Sequence, residues 1–517
     1  MKPSILRYFL KGTGLLLLFT FVLSSCVKNF EKINTDPTKL TSLSPSDVRS
    51  LFPNALYEGL THSGPYQQTA QALFADQYAQ YFAQTATYFA SHRYAIIDSW
   101  IQTQWVGVYV KTLPSLVIII NETKKNELPT LNAIARIWKV FVLHRTTDYY
   151  GPIPYSEIGS TNKNIKYDAQ KEIYYDFFKE LSEAASDLKN NLAMPSYGAQ
   201  DLIFQGDNAK WLKFANTLRL RLAMRISKVE PIKAKEEAEA AVAGGVFTDA
   251  THDALLKVSA NYPNRLNSTT SWNEFRMSAS MESLLVGYND PRLSKWFSPA
   301  IATGQYTGVR NGLLPDQQLL AENDNEHNSN VSSLLYVDNQ YTTPQTVLHT
   351  AEAYLLRAEG ALNGWNMGGT VKDLYEKGIE MSMHRWGITN NTVITDYINS
   401  SNLPKAPGRS YNTPALTDIP VLFSTNAEKQ REQILTQKWL ALFPDGFEAW
   451  AEMRRSGYPR FYPLLHSDNP DVAANKMISR IPFTEYDKQR NGVAVKEAQS
   501  LLSGPDNAGT RLWWDVD

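Results

Sequence analysis

Apolar residues recur at helical spacing along most of this chain. Between Asp207 and Lys228, Trp211, Phe214, Ala215, Leu218, Leu222 and Ile226 fall at offsets 0, 3, 4, 7, 11 and 15, one face of a helix. Asp207 or Asn208 can cap its start. Arg219, Arg221 and Arg225 lie mostly off that face. Such a set could grip an anion, although solvated or carboxylate-paired arginines are the ordinary outcome. Upstream, Gln71 to Ala90 is rich in Ala, Gln and aromatics within a mostly helical pattern. Leu131 to Leu143 predicts an apolar helix ending near His144, before a turn at Asp148-Tyr149-Tyr150-Gly151-Pro152.

Two helical hairpins follow. Val347, Ala351, Tyr354, Leu355, Ala358 and Leu362 form one stripe, and Tyr375, Ile379, Ser382 and Trp386 line a partner. Asn363-Gly364-Trp365-Asn366 and Gly368-Gly369 break the chain between them. Ala351, Ala358, Ala361 and Gly378 are small enough for the axes to approach closely. The pair resembles a tetratricopeptide-type hairpin, with a longer connection than the usual repeat of about 34 residues allows. The second hairpin predicts a helix over Glu428 to Phe443, with Ile434, Leu435, Trp439 and Leu442 inward. Pro444-Asp445-Gly446 turns the chain, and Phe447 to Arg455 forms the partner before Gly457 and Pro459. Asn261 to Ser283, Pro299 to Ser333 and Asn390 to Ser424 are loop-textured, and Leu334 to Val337 is one of few strand-like stretches. The expected fold is mainly α: helix hairpins stacked into a solenoid-like scaffold, decorated with long loops.

The first residues change the picture of where such a scaffold works. Lys2, Arg7 and Lys11 precede an apolar run from Leu15 to Leu23, which closes on Leu23-Ser24-Ser25-Cys26. The run is shorter than the roughly 20 residues that span a bilayer and has the layout of a cleaved signal. Cys26 is the chain's single cysteine and stands where a bacterial lipoprotein is acylated, by palmitate for example. Each buried acyl methylene contributes about 0.8 kcal/mol, so two or more chains anchor stably. The expected organisation is a signal over 1–25, a lipidated tether over 26–45 and a helical binding domain over 46–517. No long apolar segment is read after Cys26. Without the three basic signal residues, 48 basic face 52 acidic side chains, which gives no electrostatic case for nucleic acid.

Several segments together resemble the SusD/RagB family of outer-membrane nutrient-binding lipoproteins. They are Phe30-Glu31-Lys32-Ile33-Asn34-Thr35-Asp36-Pro37, Asp148 to Tyr155, Lys210 to Arg221, and the hairpin residues Gln437-Lys438-Trp439, Gly446 to Trp450 and Arg454 to Pro459. Arg480-Ile481-Pro482-Phe483 and Leu512-Trp513-Trp514-Asp515 complete the set. The resemblance implies a lipid-anchored outer-membrane protein, at the cell surface. It also implies non-catalytic capture of an oligosaccharide, or a peptide, and delivery to a SusC-like TonB-dependent barrel as partner. Members often carry several acidic residues after the lipid-bearing cysteine. Here Val27-Lys28-Asn29 precede a single Glu31, which leaves the membrane face open.

Catalytic motifs are missing. There is no Gly-x-Ser-x-Gly elbow, no His-Glu-x-x-His helix and no phosphate-binding Gly-rich loop, and the eight histidines form no i, i+4 pair. His349 and His384 read as packing or polar-satisfied residues. Glu352 and Glu359 lie seven apart on one helix side, as a hydrolase pair might, but read as solvated or salt-bridged. No cofactor is expected. Glu322, Asn323, Asp324, Asn325 and Glu326 could hold calcium but lack the spaced pattern of a helix-loop-helix site. What remains is stacking on flat aromatic faces with a few polar donors. Trp272, Asn273 and Arg276 supply these in one loop, and Tyr66, Tyr88, Phe89 and Tyr94 are the other candidates. The alternatives are an anchored glycoside hydrolase and an envelope scaffold without a small ligand.

Overall fold

The computed structural model describes residues 44–60, 67–333, 335 and 343–516; Cys26, Tyr66 and nearly all of the strand-like Leu334–Val337 lie outside them. The body is built from helices, which we label α1 Pro45–Leu60, α2 Asp98–Val106, α3 Leu113–Lys125, α4 Pro129–Tyr150, α5 Gln170–Asn190 and α6 Asn208–Arg225. These are followed by α7 Pro231–Gly244, α8 Thr350–Leu362, α9 Val371–Arg385, α10 Ala427–Leu442 and α11 Gly446–Ser456. Six strands of two to four residues pair only as antiparallel couples: β1 Phe82–Gln84 with β5 Phe275–Met277, β2 Ile153–Pro154 with β3 Tyr167–Asp168, and β4 Ala254–Leu256 with β6 Gln345–Leu348. Helices pack as consecutive pairs, α4 with α5, α6 with α7 and α8 with α9. Further contacts of α5 with α6, α6 with α8, and α8 with α10 stack one pair on the next. This is the mainly α, hairpin-stacked scaffold that the hydrophobic spacing predicts.

The central helix, α4, is buried around most of its circumference; past its first residue only the polar stripe Asn132, Arg136 and Lys139 is half-buried. Ile134, Trp138, Phe141 and Leu143 have no exposed surface, and Trp138 donates its indole N–H to the Ala55 carbonyl at 2.8 Å. Gly59 on α1 lets this happen, since a Cβ there would stand 2.8 Å from Trp138 Nε1. The helix runs to Tyr150, beyond the expected end near His144. Its last turns are polar but buried and partnered: Thr147 Oγ1 donates to the Gly151 carbonyl, and Asp148 Oδ1 accepts from Tyr174 and Trp514. Hydropathy falls there while helix continues, and Gly151 at φ +90° ends it.

Other expectations shift for similar reasons. Gln71 to Ala90 holds no long helix, only a π turn at Gln68–Ala72, one turn of helix at Ala75–Tyr78, and β1. Val347 belongs to β6, and the helix starts at Thr350, capped by His349 Nδ1 accepting from Glu352 N. Asn261 to Ser283, read as loop, contains the helix Arg265–Ser271, β5 and the start of the helix Ala279–Gly287. Asn391–Ile398 is a short helix inside the expected loop after α9. After Cys26 the helical run Asp98–Lys125 is apolar and long enough to cross a membrane, which corrects the reading that no such segment follows. Half of it is buried in the fold, as befits a core element. The α8–α9 contact bears out the small-residue reasoning: a Cβ on Gly378 would lie 2.6 Å from Leu355 Cγ.

Nine charged side chains meet at the centre of the helix stack. Arg221 on α6 grips Glu352 of α8 with two parallel bonds of 2.7 and 2.6 Å. One turn on, Arg225 reaches Glu448 and Glu452 of α11 at 2.5 and 2.7 Å, and Asp148 of α4 at 3.2 Å. Arg455 bridges Glu359 and Glu452, at 2.8 Å each, and Lys438 of α10 joins the same two carboxylates. Four cations thus face five carboxylates, with side chains at most 6% exposed. Burial alone would raise Glu452, but the fields of Arg455, Lys438 and Arg225 outweigh it and hold the carboxyl well below its ordinary range. Asp148 goes the other way: burial pushes its carboxyl up against the pull of Arg225 and the Tyr174 hydrogen bond. His144 is held neutral by burial and by the field of Arg221. Arg221 and Arg225 are therefore carboxylate-paired, and Glu352 and Glu359 cation-paired, in the interior, while Arg219 pairs with Glu237 at its edge.

Replacing Arg225 by Met leaves three buried carboxylates short of a counter-charge. A loss of about 3–5 kcal/mol of stability is expected in urea unfolding, and a loss under 1 kcal/mol would show that the network is peripheral.

Candidate functional site

The antiparallel pair β1–β5 assembles the aromatic surface. Its register puts Phe82, Ala83 and Gln84 opposite Met277, Arg276 and Phe275. Beyond the strands the two chains stay tied, because Thr85 N and Ala86 N both donate to the Glu274 carbonyl, at 2.9 and 3.1 Å. The segment that leaves β1 carries Tyr88 and Phe89, and the one that enters β5 carries Trp272 and Asn273. Residues far apart in sequence thus come to one end of a short ladder, close enough for the Glu274 charge, after burial, to raise the Tyr88 hydroxyl.

Tyr88 is 70% exposed and Trp272 44% exposed, the two largest open rings in this region. Tyr88 lies against Phe89 with centroids 4.6 Å apart, and Phe89 in turn meets the edge of Trp100 at 5.5 Å. Trp100 stands in the first turn of α2. Asn273 is exposed and adopts φ +57°, a left-handed conformation that Asn tolerates better than most residues. Below the surface, Gln68 donates to Glu274 Oε2 at 2.5 Å, and burial raises the Glu274 carboxyl against that bond.

Arg276 does not reach the surface. Its Nε donates to the Asn325 carbonyl, its Nη1 to the Phe275 carbonyl and its Nη2 to Asn273 Oδ1, at 3.1, 2.8 and 3.0 Å. Only 4% exposed, it braces the loop instead of offering donors to a ligand, and burial lowers the guanidinium to about 10. Tyr94 is likewise internal, 3% exposed with its ring edge-on to Tyr78 at 5.4 Å, and has no open face for stacking. Of the residues singled out from sequence, the structure gathers Trp272, Asn273, Tyr88 and Phe89, and takes Arg276 and Tyr94 out of contact with solvent. Tyr66 lies outside the described residues. Sequence reading passes over Trp100 and Gln68, which sit in segments without a loop signal, and takes Asn325 only as part of a possible calcium loop.

The polar loop Glu322–Glu326 borders the same surface but is turned to protein. Asn325 Nδ2 donates to the Asn273 carbonyl at 2.8 Å and its Oδ1 accepts from Thr85 Oγ1. Asp324 Oδ1 accepts from Glu326 N and His327 N, and Asn323 Nδ2 donates to the Gln317 carbonyl. Among the described residues no group of three or more His, Cys, Asp or Glu side chains is placed to hold a metal ion. The loop works as a buttress for Asn273. The arrangement as a whole is an open aromatic surface with the Asn273 amide at its edge.

Stacked helix hairpins with long loops laid over them define a mainly α, hairpin-repeat class of proteins. The model of the SusD-like family, described as Susd and RagB outer membrane lipoprotein, matches residues 34–515, and the chain belongs to that family. Among solved structures it is similar to a chitin-binding SusD homologue from Flavobacterium johnsoniae, with 34% identity and a TM-score of 0.84 over 91% of this chain and 99% of that one. A SusD homologue from Bacteroides vulgatus is 31% identical, with a TM-score of 0.82 over 90% and 97% of the two chains. A further structure, described as a chitin-binding protein, is 28% identical with a TM-score of 0.77, over 92% of this chain and all of the other. No match was found among curated proteins.

Truncation separates the platform from the interior. Tyr94→Ala is expected to cost about 3–5 kcal/mol of stability, as other large core aromatics do, whereas Trp272→Ala should stay within about 0.5 kcal/mol. Equal melting shifts for the two variants would contradict this division.

Proposed function

We propose that this protein captures an oligosaccharide on the Tyr88–Phe89–Trp272 platform and passes it, without chemical change, to a TonB-dependent outer-membrane barrel. The observation that carries the reading is the juxtaposition of exposed rings from two distant segments, with Asn273 at their edge. Sugar rings have one or two faces of axial C–H groups that pack on aromatic faces, while their hydroxyls need amide or backbone partners. An open platform of this kind suits a chain threading across it better than a single enclosed sugar. Two similar structures are of chitin-binding proteins, which supports β-linked N-acetylglucosamine chains as the first ligand to try. Their acetamido groups add a methyl face and an amide that would suit Asn273.

Binding rather than turnover is supported by the fate of the carboxylates. Glu352 and Glu359, the pair compatible with a hydrolase, are locked to Arg221 and Arg455 in the core. Glu274 is tied to Gln68 and only 7% exposed. The proposal includes anchorage through acylated Cys26, carried by the signal-like segment before it and by membership of a lipoprotein family.

Calorimetry of the lipid-free protein should give saturable heat with chitohexaose and weaker or no heat with maltohexaose. Trp272→Ala and Tyr88→Ala should each weaken chitohexaose binding by about tenfold or more, the usual scale for removing a central aromatic contact. Unaltered affinity in both variants would remove the platform from the mechanism. For the anchor, Cys26→Ser should move the protein from the membrane fraction to the soluble envelope fraction, and wild-type material should carry acyl mass at Cys26. A native mass showing a free thiol there would overturn that part.

A further inference from the structure

A second, separate feature lies between the one-turn helix Ala75–Tyr78, the C-terminus of α9 and the turn that precedes α11. It is a cavity of about 210 Å³ whose wall includes Asp76, Arg145, Arg265, Arg385, Trp386 and Asp445. Single-water voids need only about 10–15 Å³, and sites for drug-sized ligands span about 300–1,000 Å³. The space therefore fits a molecule of monosaccharide or amino-acid size. None of the platform residues takes part in it.

The charges on this wall do not balance. Arg145 Nη1 donates to Asp445 Oδ2 at 3.2 Å, and the Arg145 guanidinium lies over the Phe447 ring at 4.5 Å. Among the described residues Arg265 bonds a neutral group, the Tyr57 hydroxyl, through its Nε. Arg385 donates Nη2 to the Thr346 hydroxyl and packs on Trp386, but its Nη1 is buried with no hydrogen-bond partner. The Trp386 indole N–H beside it is buried and unpartnered as well. On the other side Asp76 accepts from Gln71 at 2.9 Å, and burial raises its carboxyl to about 7, so it supplies only part of a negative charge at neutral pH. Burial also lowers Arg385 to about 10, against the opposing fields of Asp253 and Asp445, neither of which forms an ion pair with it among the described residues.

A buried cation with an unmet donor is costly until an acceptor arrives. What the wall lacks is an anion with in-plane oxygens, which a guanidinium and a neighbouring N–H can share. Leu60, Leu255, Leu266, Pro344 and Pro444 supply apolar surface around the rest of the space, which favours an organic body over a bare inorganic ion. We propose that this cavity is a binding site for a small organic carboxylate, held by Arg385 and Trp386. It is independent of the oligosaccharide reading, since it shares no residue with the platform.

The test uses calorimetry and tryptophan fluorescence on the whole lipid-free protein at constant pH and ionic strength. Sodium D-glucuronate and D-glucose differ in carrying or lacking the carboxylate on the same ring. Sodium N-acetyl-L-alaninate presents the carboxylate on a peptide-like body, and sodium sulfate is the inorganic control. Saturable binding of glucuronate or N-acetylalaninate, with none for glucose, is expected, and the stronger of the two identifies the source as acidic sugar or peptide terminus. Arg385→Gln should weaken that binding about tenfold or more while leaving any chitohexaose binding and the circular dichroism spectrum as they were. If Arg385→Gln does not fold, Trp386→Phe decides, because it keeps the ring and removes only the N–H; a several-fold loss is expected. The proposal is overturned by equal response to glucose and glucuronate, by no saturation at millimolar carboxylate, or by binding of sulfate alone. It is equally overturned by unchanged carboxylate affinity in a folded Arg385→Gln or in Trp386→Phe.

Discussion

Arg225 holds three helices at one point, with its guanidinium shared among Asp148, Glu448 and Glu452. Around it Arg221, Lys438 and Arg455 tie α6, α8, α10 and α11 into one ionic lattice with almost no access to water. Apolar packing between helices is tolerant of small rotations and slides, but a bidentate arginine–carboxylate pair is not. Buried pairs of this kind add little net stability compared with well-packed apolar residues, yet breaking one strands a charge in a low-dielectric interior. Their effect is to penalise every other register in which these hairpins could stack. The lattice lies where successive pairs meet, so it fixes the relative positions of elements that the backbone connects only through long loops.

That rigidity matters for the proposed binding surface, which has little structure of its own. β1 and β5 are three residues each, and an isolated two-stranded ribbon of that size is not stable in water. The pair holds because Tyr81 and Trp439 anchor it to the helix stack: Tyr81 donates its hydroxyl to the Trp439 carbonyl, and Trp439 its indole N–H to the Ala79 carbonyl. Buried Arg276 then ties Asn273 from below to the Asn325 carbonyl and to the Phe275 carbonyl of β5 through one guanidinium. Tyr88 and Trp272 can stay open to solvent because everything under them is fixed. Exposed rings held this way lose little freedom when a ligand arrives, which raises affinity without adding contacts.

Much of the scaffold was legible in the sequence. The stripe Trp211–Ile226 with Asp207 before it forms the helix it predicts, and Asp207 accepts from Ala209 N and Lys210 N as a cap should. The turn Pro444-Asp445-Gly446 and the stop at Gly457 are equally local matters of cap and left-handed backbone. Misreadings cluster where polar residues are buried with partners. The end of α4 was missed because Arg145, Thr147 and Asp148 look like surface, and the segment around β1 because its glutamines and aromatics carry no period.

The platform was legible only in part. Trp272, Asn273, Tyr88 and Phe89 suited stacking by residue type, and so did Tyr94 and Arg276, which the fold buries. Nothing local distinguishes these groups, since exposure depends on what a distant segment lays over each side chain. The sequence by itself determined the helices, their caps, the membership of the family and the absence of a recognisable catalytic motif, because spacing, backbone preference and motif are properties of neighbouring residues. Only the tertiary structure decided which arginines would face which carboxylates, which rings would stay open, and which donors would be left unmet around a cavity. Those outcomes are set largely by contacts between residues tens to hundreds of positions apart, and side-chain chemistry read in order along a chain does not contain them.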